Sequence, residues 1–283
     1  MNKSTLISFA SASHYATQRR LHSTALKHGI KNNSPYKAWQ LLFSAFYWKN
    51  RKILTSSRGA GFWLWKPHIL LNALNNSSSD EVIIYLDTDH IIVQPLDPII
   101  KLCTLQNPIV IFSSHGNKNV LARQRTKRDC FILMDCDSPD YYDKEQAAAT
   151  LIVIRKTESS LLFVKQWLTY CEDERIITDQ PNVLGLPDLE GFIEHRHDQS
   201  ILSLLAFKHN LSIYRFPSER GNYLKLPKYR VRGEKLSEPY SDKPWANSPY
   251  GTLLSVEIPS VYNKLYILRQ RIRRVIKWFI TGR

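Results

Sequence analysis

The stretch Val82-Ile83-Ile84-Tyr85-Leu86-Asp87-Thr88-Asp89-His90-Ile91-Ile92-Val93 constrains everything around it. Its apolar run, rich in β-branched and aromatic residues, predicts a buried strand, and two carboxylates one residue apart interrupt that run. In open α/β sheets ligands collect beyond the carboxyl ends of strands, which would set Asp87 and Asp89 at the mouth of a cleft. Two ionised carboxylates this close repel each other, and a hard divalent cation relieves the repulsion. The pattern therefore predicts a metal site for a diphosphate. The competing reading is a surface turn started by Asp.

Composition narrows the class. A chain of 283 residues can bury a substantial core, and one domain with an appendage is expected. The 43% hydrophobic fraction with seven Trp, fourteen Tyr and eleven Phe excludes a disordered protein. Cys103, Cys130, Cys136 and Cys171 form no Cys-x-x-Cys pair, so a reducing compartment is expected and a zinc finger is not. The apolar stretch after Met1 is too short for a signal-peptide core, and no run reaches about 18 apolar residues, so neither an export signal nor a membrane span is expected. The net charge of +14 is uneven: residues 206–283 hold 16 Lys/Arg against 5 Asp/Glu, whereas residues 1–205 hold 23 against 20. Such a basic region attracts phosphate-bearing partners, whether nucleic acid, anionic lipid or a phosphorylated substrate.

Along the chain, Leu6–Ala10 predicts a first strand, followed by the small polar turn Ser11-Ala12-Ser13-His14 and a helix from Tyr15 to His28. Small side chains in such a turn let backbone N–H groups approach a nucleotide, although Gly-x-Gly-x-x-Gly is absent. Tyr36, Trp39, Phe43, Phe46 and Tyr47 recur at spacings of three and four, which predicts one helix face packed in the core. Two glycines and several aromatics in 57–65 make a loop from which Lys66 emerges before a helix with Pro67 in its first turn; Lys66 is a phosphate ligand or an ordinary exposed lysine. Residues 115–145 predict a long mobile loop of the kind that covers sites; the carboxylates within it lack the calcium-loop spacing. Small residues at 147–149 precede a strand through Ile154 and leave room for a bulky ligand or pack as core. Asp198 and Gln199 open an apolar helix behind His195, Arg196 and His197, with Asp198 a candidate cap.

In this order, the elements resemble nucleotide-sugar-dependent glycosyltransferases of the GT-A fold, above all glycosyltransferase family 8 and its bacterial polysaccharide-synthesis relatives, over residues 5–215. The resemblance implies an α/β fold, a Rossmann-like mixed sheet flanked by helices. By the same resemblance, Asp87 and Asp89 would hold Mn²⁺ or Mg²⁺, with Thr88 between them beside the donor. Phe9, Ala10 and Ser11 would lie under the nucleoside, Lys66 near the phosphates, and Ala148 and Ala149 against the sugar. Asp198 and Gln199 would line the reacting carbon as the catalytic pair. Of the family's downstream His-x-x-Gly-x-x-Lys-Pro-Trp motif only Lys243-Pro244-Trp245 is matched, and no His follows His209, which leaves the third metal ligand unassigned.

The expected function is metal-dependent transfer of a hexose from a nucleotide diphosphate sugar, UDP-hexose by preference. The acceptor would be a lipid-linked or polysaccharide glycan of the bacterial surface, O-antigen or capsule, and retention is favoured over inversion. The alternative is a basic nucleic-acid-binding protein or a phosphodiesterase using the Asp pair; nucleic acid is not expected as a partner of the first reading. Three parts are expected: residues 1–215 as the glycosyltransferase domain, 216–258 as an irregular segment completing the site, and 259–283 as a basic amphipathic helix. Val261, Leu265, Leu268, Ile272, Val275 and Phe279 recur there at helical spacing among basic residues, which suits either packing on the core or an anionic membrane surface. The second reading puts a cytoplasmic protein peripherally on the inner face of the plasma membrane.

Overall fold

A computed structural model of the chain describes residues 3–11, 14–114, 120–218 and 246–256. Lys243 and the segment 259–283 lie outside the described residues. The N-terminal part comprises strand β1 (Ser4–Ala10), helix α1 (Tyr15–Lys27) and strand β2 (Asn32–Lys37). Three short helices follow, α2 (Ala38–Leu42), α3 (Ala45–Lys49) and α4 (Arg51–Leu54), then a kinked turn α5 (Gly59–Phe62) and the long helix α6 (Trp65–Asn76). Next come β3 (Val82–Leu86), β4 (His90–Ile92), α7 (Asp97–Ile100) and β5 (Ile109–Ser113). Helices α8 (Ala122–Arg125), α9 (Arg128–Leu133) and α10 (Pro139–Tyr142) lead to β6 (Ala147–Arg155). The described chain closes with α11 (Glu158–Cys171), α12 (Glu174–Ile177), α13 (Asp198–Lys208), β7 (Ile213–Tyr214) and β8 (Leu254–Val256).

Six strands form one mixed sheet in the order β2-β1-β3-β6-β5-β7, and β4 pairs with β8 in a separate ribbon. The α/β class expected of the sequence is the class observed. β1 runs parallel to β2 and β3, whereas β6 runs antiparallel to β3 and β5. Strand β3 is apolar at every position because helices cover both faces of the sheet, which removes the usual polar alternation. Ile83 and Tyr85 point into one core with α6, α11 and α13, while Val82, Ile84 and Leu86 point into the other with α1 and α7. The four cysteines are buried and unpaired.

This topology gathers three chain segments at one end. The carboxyl ends of β1 and β3 lie together, and β6, running the other way, begins beside them. The backbone N–H of Asp87 donates to the Thr150 carbonyl at 3.0 Å. The pairing of β6 with β5 shifts register, so that Phe112 faces Ala148 while the preceding Ile111 faces Ile152. The intervening residues bow out of the β5 ladder, as a bulge allows.

Two expectations are corrected. The aromatic run at 36–47 is not one helix with a buried face: Tyr36 lies in β2, short helices follow, and Trp39 of α2 and Phe43 at its C-terminal cap face outward. The residue before α3 explains the break, since Ser44 is extended and its hydroxyl accepts from Tyr47 N–H, starting a new helix. Residues 120–145 are not a structureless loop either. Phe131, Cys130 and Met134 bury completely and hold α9 on the core, an anchor that the surrounding polar composition concealed.

Trp167 of α11 is fully buried, and its indole N–H donates to the Asp198 carbonyl at 3.1 Å, which ties the core to the first turn of α13. Trp167→Phe should lose about 1–3 kcal/mol in unfolding free energy, and Trp167→Ala about 3–5 kcal/mol, as read by urea denaturation.

Candidate active site

At the gathered strand ends a cavity of about 300 Å³ is lined by Arg58, Trp63, Lys66, Asp87, Ala149, Thr150, Glu194, Arg196, His197, Asp198 and Gln199. Among the lining groups is the ammonium of Lys66, which the first turn of α6 projects into the protein, leaving the side chain 3% exposed. The Nζ lies 3.1 Å from Asp198 Oδ2 and 3.5 Å from Asp87 Oδ1, and donates to the Ala149 carbonyl at 3.0 Å. That carbonyl lies in the bowed stretch of β6. Burial works against the ammonium, but Asp198 and Asp87 outweigh it and hold the Lys66 pKa above the ordinary value.

The two carboxylates differ. Asp198, the first residue of α13, is buried, and burial pushes its pKa up to about 6 against the pull of Lys66. It does not sit at the cap position, which His197 takes with a positive φ of 49° and no side-chain cap bond. Asp87 is more open, with its side chain 29% exposed, and its Oδ1 also accepts from the Tyr85 hydroxyl. Burial, reinforced by Asp87, raises the Tyr85 pKa well above the usual phenol value, so the hydroxyl stays a donor. Asp89 lies beyond the cavity wall, with its Oδ1 2.7 Å from His90 Nδ1.

The rim is held by strained backbone. From Gly59 to Trp63 every residue has positive φ, including the non-glycine residues Ala60, Phe62 and Trp63. Gly61 is required there: its φ is 94°, and a Cβ would stand 2.6 Å from the Leu54 Cα. The turn is fastened by the Trp65 indole, which donates to the Gly59 carbonyl at 3.0 Å, and by Phe62 and Trp63, which pack on the His197 ring. His197 Nδ1 bonds the Ile177 carbonyl and His195 Nε2 bonds the Ile176 carbonyl, both at 2.8 Å. Burial lowers the pKa of both rings, so the two histidines are neutral pins between α12 and α13.

Of the residues singled out in the sequence, the fold brings Lys66, Asp87, Ala149, Asp198 and Gln199 to one cavity. Gln199 lines it and donates to Gln146 Oε1 at 2.9 Å. Ala148 points to the opposite core, because neighbours in a strand face opposite sides. Phe9 stacks on Trp65 with ring centroids 3.9 Å apart, and Ala10 is buried beside it. Ser11 follows at the partly exposed strand end, and Thr88 is buried between the two carboxylates. Tyr85 was not anticipated, although its place two residues before Asp87 on the same strand face was a usable signal. Arg58 and Arg196 add guanidinium groups to the wall, paired with Asp179 at 3.3 Å and Glu194 at 2.7 Å. A larger cavity of about 760 Å³ opens at the opposite end of the sheet, around Lys3, Lys31 and Arg155.

Asp87 and Asp89 suit a hard divalent cation by the chemistry of their oxygen donors. Such an ion needs only one or two carboxylates when phosphate and water complete its shell. The His90 ring against Asp89 is the kind of outer partner that orients a ligand carboxylate. Among the described residues no group of three or more His, Cys, Asp or Glu side chains is arranged to hold a metal ion.

No protein-family model matches the chain, and comparison with curated proteins finds no match. Among solved structures the chain is similar to the galactosyltransferase LgtC in complex with donor and acceptor sugar analogs, with a TM-score of 0.47 and 13% identity over 90% of this chain and 87% of that one. It is similar to mouse xyloside xylosyltransferase 1 in its apo form, with a TM-score of 0.44 and 11% identity over 90% and 99% of the two chains. It is also similar to the bifunctional glycosyltransferase WbbM, with a TM-score of 0.43 and 9% identity; 79% of this chain spans 41% of that one.

The raised pKa of Asp198 gives a pH signature in the metal-free protein. An unfolded Asp titrates near about 3.9, so as pH falls through 6 the folded carboxyl takes a proton before the unfolded one does. Asp198 therefore adds stability at low pH, and this is lost as pH rises through 6. From about pH 8 to about pH 4, the unfolding free energy of wild type relative to Asp198→Asn should rise by on the order of 3 kcal/mol. Chemical denaturation of both proteins across that range measures it; a flat or falling difference would contradict the assignment.

Proposed function

We propose that the chain is a metal-dependent glycosyltransferase that takes a hexose from a nucleotide diphosphate sugar, UDP-hexose by preference. The observation that carries this reading is the convergence of Asp87, Lys66 and Asp198 on one cavity at the carboxyl ends of parallel strands, with Asp89 two residues beyond Asp87. Asp87 and Asp89 would hold Mn²⁺ or Mg²⁺, which supplies charge neutralisation for a departing diphosphate. Lys66 fixes the carboxylates of Asp87 and Asp198 relative to each other. Arg58 and Arg196 stand where phosphate oxygens would meet guanidinium donors. Asp198 and Gln199 face the space left for a sugar. The Gln199 amide can stabilise positive character there but is no competent base, which supports retention.

The acceptor we propose is a lipid-linked or polysaccharide glycan of the bacterial surface, reached by a protein peripheral on the cytoplasmic face of the plasma membrane. No helix among the described residues is long and apolar enough to cross a membrane. The basic segment 259–283 is the proposed anchor, and Lys243 remains a proposed phosphate ligand.

A thermal-shift panel of nucleotide sugars with and without Mn²⁺ tests the reading. A donor at about 100 times its Kd stabilises by about 2.7 kcal/mol, a rise of several degrees that should require the metal. Asp89→Asn should keep the wild-type melting midpoint without ligand and lower turnover by about 100-fold or more; near-wild-type turnover under saturating Mn²⁺ would refute the metal role. NMR of the product should show the anomeric configuration of the donor, and an inverted product would remove Gln199 from its proposed role.

A further inference from the structure

Four large apolar side chains crowd the surface within ten residues: Trp39 is 51% exposed, Leu42 45%, Phe43 83% and Trp48 61%. Trp39 and Leu42 are three residues apart on α2, and Phe43, four residues from Trp39, follows as the C-terminal cap residue on the same side, while Trp48 stands on α3. The other side of these helices is fixed. Leu41, Phe46 and Tyr47 pack on the core, and Phe46 stacks on the His68 ring with centroids 3.6 Å apart. Well-anchored helices thus present an uncovered aromatic side, and a cluster of this kind marks a contact surface where scattered single residues would not.

Its place in the fold is informative. Lys37, the last residue of β2, is level with Ala10 of β1, so α2 leaves the sheet at the end where Asp87 emerges. Lys49–Glu172 at 2.8 Å and Arg58–Asp179 at 3.3 Å tie this segment to the wall that carries the cavity residues.

Charge selects the occupant. Residues 1–79 contain eleven Lys and Arg and no Asp or Glu. Around the aromatic surface Lys49 and Lys52 are neutralised by Glu172 and Glu174, whereas Lys37 and Arg51 are exposed and no carboxylate among the described residues pairs with them. A second copy would oppose this cationic surface with itself. The segment 259–283, with seven Lys/Arg and no acidic residue, is also repelled. An anionic lipid surface meets both requirements: Trp and Phe settle at headgroup depth, and the cations face lipid phosphates.

We propose that the outward side of α2 and α3, formed by Trp39, Leu42, Phe43 and Trp48, docks on an anionic bilayer and turns the cavity rim toward it. That this brings an amphiphilic acceptor within reach rests on the glycosyl-transfer reading; the docking itself does not.

The test uses the full chain with phosphatidylcholine vesicles, with and without phosphatidylglycerol. Trp39→Ser/Phe43→Ser/Trp48→Ser should weaken partition to the anionic vesicles by about ten-fold or more while leaving the melting midpoint and soluble nucleotide-sugar turnover unchanged. Equal partition of the two proteins would overturn the proposal. Because the basic tail can also bind, a second readout is local: Phe43→Cys carrying an environment-sensitive dye, compared with Leu105→Cys at the far end of the sheet. The four native thiols are buried, so the label goes to the introduced one. The dye at 43 should brighten on anionic vesicles and the dye at 105 should not. A silent dye at 43, or no vesicle binding by wild type, would overturn the proposal. So would a lipid-free dimer that the triple substitution abolishes, which would make this side a self-interface.

Discussion

The site depends on one buried cation. Lys66 enters from α6 with its side chain almost wholly buried, where an unpaired ammonium would be costly, so the surrounding chain must supply acceptors. It supplies three, from three elements: Asp198 from α13, Asp87 from beyond β3 and the Ala149 carbonyl from β6. No two of these segments are neighbours in sequence. The ammonium is therefore the point at which helix, sheet and helix are held in common, and the cavity geometry follows from it.

Asymmetry between the two carboxylates gives that arrangement its chemical range. Asp198 is enclosed and carries a raised pKa, whereas Asp87 reaches toward solvent with one oxygen engaged by Tyr85 and Lys66. One acid is thus built into the protein, and the other is presented outward. The left-handed turn at 59–63 belongs to the same construction. It places Trp63 against His197 and carries Arg58 to the cavity wall, which a regular helix through those residues would not do.

Much of the sheet was legible in the sequence because its strands are short apolar runs bounded by polar turns. Val82–Leu86 and the strand through Ile154 could be read in this way, and Asp87, Lys66 and Asp198, singled out from their local patterns, are residues that the fold brings to one cavity. The aromatic segment at 36–47 misled for a physical reason: spacings of three and four report which residues share a face but not whether that face turns inward. Ala148 and Ala149 show a similar limit. Alternation assigns them to opposite sides of the sheet, but only the layout of the helices decides which side holds a cavity.

By itself the sequence determined the α/β class, the carboxylate pair at a strand end and the strongly basic balance of the chain, since each follows from local pattern or simple counting. Tertiary structure alone decided that Lys66 is buried between Asp87 and Asp198, that Tyr85 holds Asp87, and that Trp39 and Phe43 face outward. These are distances between segments far apart in the chain, or choices between two sides of one element. They are fixed by packing and by the cost of burying charge, neither of which is written in any single stretch of residues.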